Sequence, residues 1–585
     1  VYRLGNFIEV GNDVWMHLLG TADVRYQAVH NFDFEERVRD RVPSRNPLDT
    51  REQSGDYTGL WNIIRFGADF RYQKNLNMEL LLEERPNIDA SSARSGMNST
   101  NPGGTDVFGR AATTENNGPA FIVAYVDYKF EGTPLRIRMG WDLSYVDQAG
   151  IVGDRDPRIS LFGDFGNLDL RLSAVRPRAG QRLGLDHNDF WYYVASAGYN
   201  LAPHRFQFDV VYFQDRFFGA DRALSTPIGG AAVCPGGCFT APPIGFVGQK
   251  NDSVLFMGSW SGRVGPLRGL FQANLVTGWL RGGTQVAELP RGVNPRRFYD
   301  LLAGGAVAYG EVDLGVVRPF LGVVFGTADN GRPNSKHLGG FNGQSFGEIS
   351  LITGTPWFAH LDTSNAFAAR DYSCPARAQG LGEAPNLPGV SFGSGANTVT
   401  PGAPGLARSP QNIGTQVFTS SKAIGEVECS HTVGNAFNDR IGNLTHLGLS
   451  TPYANPGTLF VPVGLRVFPL KGYEINAWYA YKGWLNSHSL NVAFAPERAA
   501  RHMGGIGTTQ MHEIGGSVLW TLNPNFDIRL AGNLAYAGSA YKDLAHLAIC
   551  DPGGIIPAGR TYATASQCGG KNLAERVEVR LRGRF

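Results

Sequence analysis

Arginines recurring at every second position, interleaved with carboxylates, are the residues of this chain whose type and spacing could do chemistry. In the last stretch, 572–585, Arg576, Glu578, Arg580, Arg582 and Arg584 alternate with Val577, Val579, Leu581 and Phe585. Arg136, Arg138 and Asp142 alternate in the same way with Leu135, Ile137, Met139 and Trp141, and Arg65, Asp69 and Arg71 with Ile64, Phe66, Phe70 and Tyr72. Arg25, Glu79, Arg171, Arg205, Arg466, Glu474 and Arg529 fall on the matching parity of their own segments. A guanidinium is a planar fork that holds carboxylate, sulfate or phosphate through two parallel hydrogen bonds, so such an array could bind or pass anions. Pairing with the interleaved acids is expected to consume about half of these cations, and the arginine surplus remains.

Enzyme chemistry finds no comparable footing. Gly389-Val390-Ser391-Phe392-Gly393 has the G-x-S-x-G spacing, but it lies in a Gly/Ser-rich stretch and not between a strand and a helix, so it reads as coincidence. The 12 histidines include no H-E-x-x-H, and phosphate loops and dinucleotide fingerprints are absent. The sequence therefore predicts no enzyme, no cofactor, no metal site and no nucleic-acid partner.

A period of two belongs to strands, whose alternate side chains point to opposite faces. Such segments are expected at 15–34, 60–73, 77–85, 120–130, 135–146, 159–165, 168–178, 190–200 and 205–217, then at 253–264, 268–280, 298–312, 317–326, 459–468, 473–484, 513–522, 526–536 and the final stretch. Their connections alternate strictly between short turns and long polar loops. No window approaches the roughly 18 to 20 apolar residues of a spanning helix, so a membrane would have to be crossed by a closed barrel. The expectation is an all-β fold: one transmembrane antiparallel β-barrel over 1–585, with about eighteen strands, short periplasmic turns and long extracellular loops in the bacterial outer membrane. An ionised side chain facing the bilayer centre costs about 2 to 4 kcal/mol, which assigns the apolar parity to lipid and the arginine parity to the lumen. Trp141, Trp191, Tyr193, Trp279, Phe468, Tyr481, Trp520 and Tyr536, near strand ends, read as girdles at the two membrane surfaces.

All six cysteines fall in long loops and pair locally: Cys234 with Cys238, Cys374 with Cys429, Cys550 with Cys568. Without C-x-x-C knuckles, disulfides in an oxidising compartment are favoured over zinc. No basic and apolar leader precedes Val1, which fits an exported chain whose signal peptide is gone. The longest connection, 327–457, exceeds the usual span of a structureless loop and is expected to be an extracellular or lumen-folded insertion that lids or narrows the barrel.

The ending on Phe585 resembles the last strand of bacterial outer-membrane barrels, whose terminal aromatic residue is their assembly signal. The hairpin Ala124-Tyr125-Val126-Asp127-Tyr128-Lys129, Gly132-Thr133-Pro134, Leu135-Arg136-Ile137-Arg138-Met139-Gly140 resembles a strand pair of the bacterial alginate-export porin family. That resemblance implies an eighteen-stranded barrel whose lumen arginines, here Arg136 and Arg138, pass anionic polysaccharide. The expected function is a channel for passive passage of anionic small molecules or anionic polysaccharide, with the lipid bilayer, its lipopolysaccharide and an anionic solute as partners. A surface adhesin or the scaffold barrel of a multi-protein complex is the alternative.

Overall fold

A computed structural model describes residues 2–11, 13–30, 57–84, 120–142, 144–149, 153–154, 157–178, 190–215, 250–281, 298–328, 337–339, 457–488, 491, 504–540, 543 and 573–584. Within these, β1 (Tyr2–Gly11) is followed by β2 (Val14–His30), β3 (Tyr57–Tyr72), β4 (Leu76–Glu84), β5 (Ala120–Lys129) and β6 (Leu135–Trp141). After the two-residue strands β7 (Ser144–Tyr145) and β8 (Gly153–Asp154) come β9 (Pro157–Phe165), β10 (Leu168–Arg178), β11 (Phe190–Leu201), β12 (His204–Asp215), β13 (Lys250–Val264) and β14 (Leu267–Arg281). The rest are β15 (Phe298–Val312), β16 (Val317–Gly326), β17 (His337–Leu338), β18 (Thr458–Val467), β19 (Tyr473–Gly483), β20 (Thr509–Asn523), β21 (Phe526–Ala537) and β22 (Leu573–Arg584).

Each long strand pairs antiparallel with its neighbours, and β22 returns to β2 with Thr21 opposite Arg584 and His30 opposite Glu575. With β1 and the short strands set aside, this is a closed ring of 18 staves. Closure pairs the backbone donors and acceptors of every stave, which hydrocarbon demands. Large apolar side chains such as Phe66, Met139, Leu172, Phe208, Leu275, Leu302, Ile514, Leu530 and Val577 are exposed on the outer face, while Asp69, Asp127, Asp209, Gln272, Glu311, Asp527 and Glu578 are buried on the inner one. A soluble protein inverts that arrangement. The wall is that of an outer-membrane barrel.

Aromatic side chains mark both edges of the apolar belt. Tyr473 stacks on Trp520 at the short-turn end, and Tyr481 on β19 and Tyr536 on β21 stand at the other end. The eight-residue rise from Tyr473 to Tyr481 on a tilted strand gives about 20 Å, close to a bilayer's apolar thickness.

Along the short-turn rim, one turn bonds to the next: the Lys129 amide donates to Asn75, Asp164 to Pro134, Asn200 to Asn167, Thr521 to Gly472 and Arg584 to Asn525. These bonds fix the stagger of the barrel. At the seam β22 ends at the level of Thr21, and β1 continues along the same edge of β2 from Gly20 down to Val14. Sequence reasoning had placed no strand before residue 15. β1 covers an edge of β2 that would otherwise present unpaired amides.

Two further expectations change. The segment expected as one strand over 135–146 ends at Trp141, and the chain then turns inward. The inner face is also not polar throughout. In the half nearest the long loops, Val175, Tyr192, Val194, Val211, Phe213, Leu255, Met257, Val276, Val324 and Phe460 point inward and are buried. Strands apolar on both faces carry little period-two contrast, so the simple lipid-against-lumen parity could not place these side chains.

Gly140 shows how closely the wall packs. Its φ of 129° is one that L side chains rarely adopt, and a Cβ there would lie 2.2 Å from the Ala124 carbonyl oxygen on β5. Gly140→Val is expected to cost at least about 1–3 kcal/mol, read as a lower midpoint in guanidinium unfolding and as loss of the heat-modifiable, fast-migrating form on a denaturing gel.

Candidate functional site in the lumen

The inward arginines collect in the half of the lumen nearest the short turns, because most of their positions lie within a few residues of a strand's short-turn end. There they form a hoop of ion pairs, most of them between strands. Arg136 Nη1 lies 2.7 Å from Asp127 Oδ2, and Arg138 reaches the same carboxylate at 2.8 Å and Asp142 at 2.7 Å. Arg71 meets Asp69 at 3.3 Å and Arg205 meets Asp169 at 2.9 Å. Arg466 bridges Glu311 at 2.7 Å and Glu474 at 2.9 Å, and Arg318 joins the same group. Arg582 and Arg584 share Asp527, Arg580 clasps both oxygens of Asp23, and Arg529 lies 3.8 Å from Glu578.

Aromatic rings hold several of these guanidiniums in place. Phe162 has Arg136 4.3 Å from its centroid, with Arg138 and Arg171 each at 5.7 Å. Arg138 lies 3.9 Å over Tyr125, whose hydroxyl donates to Glu79 at 2.7 Å. Phe468, expected in a membrane girdle, instead faces inward beneath Arg318 and Arg466. The aqueous end of this group is Asp313, on the turn between β15 and β16. The Gly315 amide, followed by Arg318 and Arg263, holds its carboxyl below the usual range.

Of the expected lumen residues, Arg71, Arg136, Arg138, Arg205, Arg466, Arg529, Arg580 and Arg582 pair with carboxylates in this half of the barrel. Arg65 and Arg25 occupy inward register positions on β3 and β2, Arg25 level with Arg580; the Arg25 side chain lies outside the described residues. Arg171 donates to Ser173 at 2.9 Å. Asp23, Glu311 and Arg318 are partners that the sequence pattern does not single out. Asp23 shares the parity of Arg25, and that was the signal available for it. Several members of the hoop keep water contact: the side chains of Arg71, Arg136, Arg205 and Arg263 are 41%, 38%, 39% and 47% exposed.

Above the hoop, the chain after β6 crosses the inner wall. The Gln207 amide donates to the Val146 carbonyl at 2.6 Å and also reaches Asp209 at 2.9 Å. Gln272 accepts from the Ala149 amide at 3.0 Å and donates to Asp147 at 2.8 Å. Residues 146–149 are thereby docked onto β12 and β14, staves well round the ring from β6 and β9. Sequence reasoning had given the narrowing role to 327–457 and had no signal for this segment. Nearly all of 327–457 lies outside the described residues, as do all six cysteines and Gly389 to Gly393. At its start, Thr327 is bonded to both Gly304 and Gly339, and β17 pairs in parallel with β15 at Asp300 and Leu301.

Replacing Asp127 with Asn leaves Arg136 and Arg138 competing for a neutral partner in a largely buried setting. The expected loss is about 3 kcal/mol, measured as a shift in the denaturant midpoint of the folded barrel. An unchanged midpoint would show that the hoop adds nothing to stability.

No protein-family model matches the chain, and neither does any curated protein. Among solved structures, a BenF-like porin from Pseudomonas fluorescens Pf-5 aligns over 97% of this chain and 98% of its own, at 8% identity and a TM-score of 0.42. The outer-membrane channel DcaP of Acinetobacter baumannii aligns over 98% and 97%, at 8% identity and a TM-score of 0.37. OccAB1 of the same organism aligns over 97% of each chain, at 7% identity and a TM-score of 0.43. Likenesses this distant carry no residue-level argument, and the functional reading rests on the lumen itself.

Proposed function

We propose that this barrel is a passive channel of the outer membrane that favours anionic solutes. The observation that carries the reading is the hoop of inward arginines at the short-turn mouth, several of them still in contact with water. Most are positioned by a carboxylate on their own or a nearby stave, which lowers the net field, while Arg71, Arg136 and Arg205 keep guanidinium surface open to water. A low-dielectric wall around such a ring focuses its potential. Anionic small molecules fit this reading, and so does an anionic polysaccharide, whose repeated carboxylates could move between successive guanidiniums. The second reading, a scaffold or adhesin barrel, draws support from the buried apolar inner wall on the long-loop side, where water would be excluded.

Replacing Arg136 and Arg138 with Glu is expected to move the reversal potential in a salt gradient toward cation preference, with the effect fading at high ionic strength as screening shortens the field. An unmutated channel that already prefers cations overturns the anion reading. A sealed one transfers the case to the scaffold. A second expectation concerns width: Gln207→Ala with Gln272→Ala frees residues 146–149 from the wall and should change single-channel conductance by a measurable step, while Gln207→Ala alone gives a smaller one.

A further inference from the structure

The arc of wall from β10 to β15 carries, on its outer face at the long-loop end, a continuous row of aromatic and charged side chains. Trp191 and Tyr193 are stacked with centroids 6.3 Å apart and planes 11° from parallel. Tyr193 stacks on Tyr212 of the next stave at 6.1 Å and 16°. The Tyr212 hydroxyl donates to Asp252 at 3.0 Å. Asp252 is opposite Trp279, and Trp279 is opposite Asp300, which pairs with His337 at 3.5 Å. At the other end of the row, the Arg176 guanidinium lies 5.9 Å from the Trp191 ring.

Two features separate this row from an ordinary aromatic girdle. Arg176, Asp252 and Asp300 occupy outward register positions, which hydrocarbon penalises by several kcal/mol at the bilayer centre and hardly at all at its surface. The row therefore sits at headgroup level. It is also open: Tyr193 and Trp279 are 41% and 39% exposed, and the Asp300 and His337 side chains 55% and 64%. Flat rings suit the apolar faces of sugars, carboxylates accept sugar hydroxyls, and a guanidinium beside them suits phosphate.

We propose that this outer arc is a docking surface for the sugar-phosphate headgroup of an outer-leaflet glycolipid. The proposal rests on the outer-membrane orientation in which the long loops face outward, but not on what the lumen conducts. Arg176 takes a phosphate and the ring stack takes the face of an adjoining sugar; the buried Asp252 holds Tyr212 in place, and Asp300, four staves further round, takes hydroxyls of a further sugar of the same headgroup. The row spans adjoining staves, so it holds one headgroup in a fixed orientation along the wall.

The test uses the full chain purified in detergent and titrated with lipopolysaccharide lacking its O-chain, with bound lipid read by native mass spectrometry. Trp191→Leu with Tyr193→Leu keeps the outer face apolar and should lower glycolipid retention about tenfold. The same exchange at Trp141 and Tyr536, elsewhere on the long-loop girdle, should leave it unchanged. Arg176→Gln should weaken binding of the phosphorylated glycolipid and not of its dephosphorylated form. Equal losses from both aromatic pairs, equal retention of phosphatidylglycerol, or equal binding of lipid-free polysaccharide would overturn the proposal. Conductance in the same variants should match the unmutated channel, so a failure here is distinguishable from a failure of the anion reading.

Discussion

Every feature of this molecule depends on the requirement that no backbone amide or carbonyl meet hydrocarbon unpaired. A single unclosed edge across the bilayer would leave a row of such groups, each costing several kcal/mol. The chain meets the requirement by bringing β22 back to β2, two strands separated by almost the whole sequence. The stagger that closure imposes leaves the lower edge of β2 uncovered by β22, and β1 completes it. Bonds between successive short turns then lock the register of neighbouring staves.

Closure also dictates the electrostatics. Once staves are tilted and registered, inward positions on neighbouring strands face one another at one height, and like charges there would repel. Several arginines do lie level, Arg580 with Arg25 and Arg529, and Arg318 with Arg466, and carboxylates set between cations offset the repulsion: Asp127 between Arg136 and Arg138, Glu311 beside Arg466, Asp527 between Arg582 and Arg584. The pairs hold one another in defined rotamers with polar ends toward the mouth. A hoop that serves the wall mechanically would, under the proposed function, also present oriented guanidiniums to solute. The two roles compete for the same charges, and the exposed arginines mark where the second has room.

The inner wall changes character along its axis. Near the short turns it is ionic and in contact with water; near the long loops it is buried, apolar over much of the arc from β10 to β18 but with Arg158, Lys482, Glu513 and Arg576 among its inward residues. Solute passing along this axis would leave the arginine hoop and meet a segment held by the side-chain amides of Gln207 and Gln272. Gln207 and Gln272 suit that task, since an amide can donate and accept at once without adding charge to the field below.

Much of this was legible in the amino-acid order. Alternation of Val577, Val579 and Leu581 with arginine requires a strand with one face in lipid, and the strict succession of short and long connections requires neighbouring strands to run antiparallel; together they determined the barrel and its size. Pairing was beyond that reading. Which carboxylate meets Arg580 depends on the register at which β22 closes onto β2, a long-range relation that no local window contains. β1 was missed because its irregular ladder blurs the alternation, and the docked segment at 146–149 because four residues of turn have no period at all. The buried apolar inner wall was misassigned for a related reason: a strand covered on both faces loses the contrast by which inside is told from outside, and only the closed barrel decides which face is which.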